Sequence, residues 1–222
     1  MSEGADLRHV DTWLFDLDNT LYPEAAGLWA RIGERITAYV ADVTGLPTGE
    51  AFTLQKKWLY DHGITLSGLM KHHGTDPDHY HDYVHDVPLD DLEPDPELAA
   101  ALARLPGRRL VFTNADAKHA ARVLARLGIA ALFDDVFHIA SAEYWPKPSP
   151  ESFDRIVAAH GVNPATTAFF EDSERNLEPA KTIGMTTVLI GAHAPAATGA
   201  FVDYRAIELA PFLAAVKVME PA

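Results

Sequence analysis

The 222-residue chain contains no cysteine, which excludes disulfides and thiolate metal sites and leaves the redox compartment open. Basic residues are scarce. Eighteen lysines and arginines against 32 aspartates and glutamates give a formal net charge of −14. An acidic surface field repels nucleic-acid polymers and anionic membranes, so neither is an expected partner. A small anionic substrate fits only where a cation neutralises it locally. No stretch approaches the ~20 consecutive apolar residues of a membrane span, and Met1 to Val10 is polar, without the apolar run of a signal peptide. There is no internal repeat and no low-complexity segment. A soluble cytoplasmic protein, monomer or homodimer, is the expectation. What is present is a 48% hydrophobic content, enough for one sizeable core or a core carrying a smaller insert.

Apolar periodicity divides the chain. Thr12 to Phe15 reads as a short buried strand. After Tyr22 the pattern is helical: Leu28, Ile32, Ile36, Val40 and Val43 recur at spacings of four and three, with Gly45 at the cap position. Further helices are expected from about Thr48 to Gly63 and from about Asp76 to Val84, and nothing in this block reads as a strand. Asp86 to Pro96 carries three prolines and reads as a linker or hinge. Beyond it, helix and strand alternate. Helices are expected from Pro96 to near Pro106, Asp116 to Leu127, Ser149 to Gly161, Ser173 to Ile183 and Pro211 to Met219; strands from Arg109 to Thr113, Val136 to Ala140, Thr167 to Glu171 and Thr186 to Ile190. Five short apolar strands separated mostly by helices predict an α/β fold, a Rossmann-like parallel sheet with helices on both faces. An all-helical insertion follows its first strand. The expected division is a core of residues 1–21 and 95–222 with a helical cap of residues 22–94.

Ligands of open parallel sheets bind outside the carboxyl ends of the strands. Asp16 and Asp18 follow the first strand, and alternate side chains of extended chain share a face. Thr113 and Asn114 end the second strand, Lys147 lies in the loop before a helix, and Glu171 and Asp172 end the strand that starts at Thr167. Carboxylates with a lysine and a hydroxyl suit phosphoryl chemistry, which rests on positioning and charge neutralisation. Asp16, Asp172 and Glu171 make a hard oxygen site appropriate for Mg²⁺.

These motifs, Asp16-Leu17-Asp18-Asn19-Thr20, Thr113-Asn114, Lys147 and Glu171-Asp172, occur in an order and spacing that resemble the haloacid dehalogenase-like (HAD) hydrolase superfamily. The resemblance runs from about Trp13 to Gly191. Within that superfamily the stretches FTNADAKHAARVLARLGI, KPSPESF, FFEDSERNL and YVHDVPLDDLEPDPEL look like the pyrimidine 5′-nucleotidase subgroup. Glu171 departs from the pattern, since many members carry Asp there, and its longer side chain can alter metal geometry without removing charge. The resemblance implies that Asp16 is the nucleophile and forms an aspartyl-phosphate, and that Asp18 is the acid and base. Thr113, the Asn114 backbone N–H and Lys147 would hold the phosphoryl oxygens. Asp16, the Asp18 carbonyl and Asp172 would bind Mg²⁺, with Glu171 nearby. The implied substrate is a small phosphorylated metabolite, a nucleoside 5′-monophosphate such as UMP or CMP, with the helical insert closing over it.

Other readings stay open beside this one. A phosphatase of sugar phosphates or phosphoglycolate, or a hexose-phosphate mutase, would use the same residues. A dehalogenase is disfavoured because that branch does not need Asp18. A receiver-like phospho-acceptor switch also combines Asp, Thr, Lys and Mg²⁺, but there the acidic pair comes first and the phosphorylated Asp lies on a middle strand. Glu171 and Asp172 with Asn176 also read as a solvated helix start. Six of the eleven histidines, His62, His72, His73, His79, His81 and His85, lie in the insert or at its exit. His81 and His85 have the i, i+4 spacing that can chelate zinc; no third ligand is apparent, and a solvated polar face is the alternative. His119, near Asn114, either biases the site electrostatically or packs a helix. Tyr22, Trp29, Lys56, Lys57, Trp58 and Tyr60 are candidates for contacts to a base, or else cap core.

Overall fold

A computed structural model describes residues 4–219. Among them, six strands form one parallel sheet in the order β3-β2-β1-β4-β5-β6. The strands are β1 (Thr12–Phe15), β2 (Arg108–Phe112), β3 (Asp135–Phe137), β4 (Thr167–Glu171), β5 (Thr186–Ile190) and β6 (Tyr204–Ala206). The helices are α1 (Leu28–Thr44), α2 (Thr48–His62), α3 (Thr65–His73), α4 (Pro77–Val84), α5 (Pro96–Ala103), α6 (Ala117–Arg126), α7 (Pro150–His160), α8 (Glu174–Thr182) and α9 (Leu209–Ala215).

β1 lies between β2 and β4, and all four of its residues are buried. A central strand with both faces covered needs a continuous apolar run rather than an alternating one. Its side chains divide by parity. Trp13 and Phe15 join the larger hydrophobic cluster, and Leu14 joins the cluster on the opposite face with Phe112 and Phe169. Phe15 stacks on Phe170 with centroids 4.7 Å apart, which locks β1 against β4. The Asp16 backbone N–H then donates to the Phe170 carbonyl at 2.8 Å, so the ladder continues one residue into the site.

Five α-helices, α1 to α5, lie between β1 and β2 in the chain, the first four of them before the proline-rich segment that ends at Pro96. α1 buries Leu28, Ile32, Ile36, Tyr39 and Val40 and ends at Gly45, whose φ of 71° lets its N–H return to the Ala41 carbonyl. α3 is absent from the sequence expectation. It has nine residues, no side-chain N-cap and a glycine, Gly68, at its centre, so it lacks the Asp–Pro start signal that marks the still shorter α4 and α5. β6 is also unforeseen, because an edge strand of three half-buried residues has no apolar alternation. β3 stops at Phe137 rather than Ala140, where its partner β2 ends at Phe112. α9 starts two residues before Pro211 and ends at Ala215; the following chain is extended, and Lys217 bridges to Asp6. The segment from Asp86 to Pro96 has no helix or strand before Pro96. Two arginines of α6 hold it: Arg122 donates to the His85 and Val87 carbonyls at 2.8 Å each, and Arg126 to those of Leu89 and Asp90 at 3.2 Å each.

Candidate active site

The carboxyl ends of β1, β2 and β4 face the insert helices across a cavity of about 330 Å³. Asp16, Asp18, Thr113, Asn114, Lys147, Glu171 and Asp172 all line it. Each arrives on a different device. Asp16 and Asp18 leave β1 on a turn in which Asn19 takes a φ of 61°, a left-handed conformation that asparagine tolerates better than most residues. Thr113 follows β2; its N–H donates to the Phe137 carbonyl at 3.0 Å, and its hydroxyl oxygen accepts from the Ala115 N–H at 3.0 Å. The Asn114 side chain clamps the main chain of Lys147, accepting from its N–H at 2.8 Å and donating to its carbonyl at 3.1 Å.

Lys147 is the electrostatic centre. Only 1% exposed, its ammonium donates to Asp16 Oδ1, Glu171 Oε2 and the Phe112 carbonyl, each at 2.7 Å. Its three N–H groups are thereby used in full. Burial opposes the charge, but Asp16 and Glu171 outweigh it and hold the lysine above its ordinary range. Glu171 is not on a solvated helix start: it is buried, and its second oxygen accepts from the Ser173 N–H at 3.1 Å.

One cation serves three carboxyls. Asp16, Glu171 and Asp172 offer oxygens within 4.8 Å of one another. Burial, then the charge of Glu171, pushes Asp16 up to about 7 against the pull of Lys147. Burial lifts Glu171 to about 7, with Asp172 adding to the rise, and lifts Asp172 to about 6, with Asp16 adding to it. Two buried acids and the half-buried Asp172, with one ammonium, have charge left uncompensated, and all their donors are oxygens; this donor set fits a hard divalent cation such as Mg²⁺.

Asp18 behaves differently. Burial opposes its ionisation, yet His119 and Tyr22 prevail and hold it below the usual carboxylate range. Its Oδ1 accepts from the Tyr22 hydroxyl at 2.5 Å and pairs with His119 Nε2 at 2.9 Å. Neither contact was read from the sequence as a link to Asp18. Tyr22 lies four residues on, so its role was visible only as spacing, while His119 is 101 positions away in the chain.

The remaining candidates separate cleanly. Trp29, 43% exposed, and Lys56 line the cavity, as do Gln55 and Arg175, which sequence reasoning did not single out. Gln55 is buried and accepts from the Thr37 hydroxyl at 2.5 Å. Trp58 is buried under α3, Lys57 pairs with Asp61, and Tyr60, 82% exposed, is not among the cavity residues. The reading of His81 and His85 as a solvated face is overturned, because both are buried. Asp116, the N-cap of α6, joins them, hydrogen-bonded through its carboxylate to His85 Nδ1 at 2.5 Å. Burial, then His85 alongside, pushes His81 down to about 4, and the neighbouring histidines outweigh burial to hold Asp116 well below the usual carboxylate range.

Sheet order, insert position and the carboxylate–lysine cluster at the strand ends together define the class: a parallel α/β fold with a helical insertion after the first strand and a charged site at the carboxyl ends of the strands. The chain belongs to the haloacid dehalogenase-like hydrolases, whose family matches residues 10–184. It is 29% identical over 193 residues to phosphate metabolism protein 8 of Saccharomyces cerevisiae. That match covers 80% of this chain, which spans about 60% of the yeast protein's length. Among solved structures, a HAD phosphatase from Thermococcus onnurineus superposes with a TM-score of 0.60 at 20% identity, covering 90% of this chain and 94% of that one. The HAD hydrolase YfnB of Bacillus subtilis, solved with magnesium bound, gives a TM-score of 0.55 at 16% identity over 88% of this chain and 93% of its own.

Proposed function

We propose that the protein is a Mg²⁺-dependent phosphatase of nucleoside 5′-monophosphates, UMP and CMP first among them, working through an aspartyl-phosphate on Asp16. One observation carries the reading: a carboxylate fixed by Lys147 and a second carboxylate gripped by Tyr22 and His119 face the same small-molecule cavity. Its volume, about 330 Å³, falls within the ~300–1,000 Å³ typical of metabolite pockets.

In this reading Asp16 attacks phosphorus as the bond to the ribose oxygen breaks, and the bonding pair leaves with that oxygen. The proton it needs comes from the hydrogen-bonded Asp18–His119 pair. Asp18, favoured as the carboxylate, then takes a proton from the water that splits the acyl phosphate, and inorganic phosphate leaves. Lys147 through its charge, and the Thr113 hydroxyl and the Asn114 N–H as donors, stabilise the phosphoryl oxygens as charge redistributes. Asp16, the Asp18 carbonyl and Asp172 would hold Mg²⁺, with Glu171 beside them; the ion supplies charge neutralisation for the transferring group. Phosphate monoester hydrolysis needs roughly 20 kcal/mol or more of barrier reduction, which makes this density of charge reasonable. Residues 22–94 serve as the cap. The Trp29 ring offers a stacking face, and Gln55 with Lys56 offers polar groups to a base edge.

Phosphate release from a panel of mononucleotides, sugar phosphates and phosphoglycolate, with Mg²⁺ or EDTA, tests this. Hydrolysis of UMP and CMP that EDTA abolishes is expected, with a loss of at least about a thousandfold in Asp16→Asn. Preference for a sugar phosphate would overturn the nucleotide assignment alone; no release from any substrate would overturn the phosphatase.

A further inference from the structure

Beside the carboxylate site, with His81 and His85 on the wall of the same cavity, lies a second group of ligating side chains that the hydrolytic chemistry does not use. His81 lies in the last turn of α4 and His85 caps its C-terminus four residues on, and Asp116 faces them from the start of α6. Each offers a ligand atom within 4.8 Å of the other two. His81 is 6% exposed, and neither of its ring nitrogens has a hydrogen-bond partner. A neutral imidazole has one donor and one acceptor to satisfy, and buried polar groups are rarely left unpaired without a reason such as a bound ion.

The spacing is suggestive in its detail. His81 Nδ1 stands 3.6 Å from Asp116 Oδ2, too far for a good hydrogen bond. Ligands at about 2.0–2.2 Å from a tetrahedral ion lie about 3.3–3.6 Å from each other, so this pair already has the separation of two ligands. His85 Nδ1 reaches the same oxygen at 2.5 Å and must draw back by roughly 1 Å to share an ion with it. The two rings are near parallel, 17° apart with centroids at 5.3 Å. A separate cavity of about 140 Å³ opens beside His81 and Asp116. His138 lines it too, and its Nδ1 is likewise buried and unpartnered. That cavity gives an entry path and room to complete the coordination with water or His138.

We propose that His81, His85 and Asp116 form a second metal site, one that takes a borderline-soft divalent ion of the zinc class. Two imidazoles and one carboxylate suit Zn²⁺, whereas Mg²⁺ prefers all-oxygen coordination and keeps its waters. The two sites therefore select different ions. They are nonetheless close: the His85 ring stacks on His119 at 4.2 Å between centroids, and His119 pairs with Asp18. An ion held by His85 lies two imidazole rings from Asp18.

The test titrates the metal-free full-length chain with Zn²⁺ in excess Mg²⁺, by calorimetry, and follows the wild-type histidine nitrogens by NMR. One Zn²⁺ per chain is expected, with the ring resonances of His81 and His85 displaced. His81→Ala should weaken zinc binding at least tenfold; no hydrogen bond goes with it, and the melting temperature of the metal-free variant reads out separately the loss of its ring contacts with Tyr80 and His85. Asp16→Asn should leave zinc binding in place. No zinc bound in excess Mg²⁺, histidine resonances unmoved, unchanged affinity in His81→Ala, or loss of binding in Asp16→Asn would each overturn the proposal.

Discussion

At the carboxyl ends of the strands, Asp16, Glu171 and Asp172 compete for one ammonium, and this competition sets how the protein responds to pH. Their folded values of about 7, 7 and 6 lie above those of the unfolded chain. An acid whose value is raised on folding binds its proton more tightly in the folded state. Its contribution is therefore fully present below the unfolded value and is lost as pH rises through the folded one. Between about pH 4 and its folded value, about 7 for Asp16 and Glu171 and about 6 for Asp172, each such group costs up to about 1.4 kcal/mol per pH unit. A divalent cation reverses this by favouring the ionised forms. Mg²⁺ should accordingly raise the melting temperature more at pH 8 than at pH 5, and Asp172→Asn should shrink the difference. An equal shift at both pH values would show that these carboxyls do not hold the ion.

Among the elements, α2 and α3 meet at a glycine. A Cβ built on Gly68 would lie 2.3 Å from Cγ of the buried Trp58. Alanine improves helix propensity by ~1 kcal/mol over glycine, but forcing the indole aside costs about 1–3 kcal/mol. Gly68→Ala should therefore lower the melting temperature by a few degrees. It should also raise KM more than it lowers kcat, because α2 carries Gln55 and Lys56 into the cavity while the catalytic groups stand on the sheet side. A melting temperature above wild type would mean that Trp58 moves freely. The same glycine shows why α3 escaped sequence reading: a close approach of two helices requires a small residue, and that residue blurs the periodicity that would announce the helix. α4 and α5, eight residues each, are legible from their Asp–Pro starts, and β1 and β4 from their apolar runs. β6 is held by pairing with β5, a tertiary contact that no local pattern encodes.

For the whole molecule, the parallel sheet delivers residues from distant parts of the chain to one rim, and the strand-end rule makes that rim readable in advance. Asp16, Thr113, Lys147 and Asp172 each follow a recognisable strand or precede a helix, so their convergence could be anticipated. The contacts that cross between insert and sheet could not. His85 to Asp116 and Arg175 to the Leu59 carbonyl depend on how the helices dock, which spacing along one element does not reveal. The central claim concerns Asp16, and acid quenching of the enzyme during turnover of UMP with Mg²⁺ tests it most directly. Peptide mapping should find one phosphoryl group on Asp16, absent from Asp16→Asn. Phosphate released at full rate with no label on Asp16, or with the label on another residue, would contradict the account.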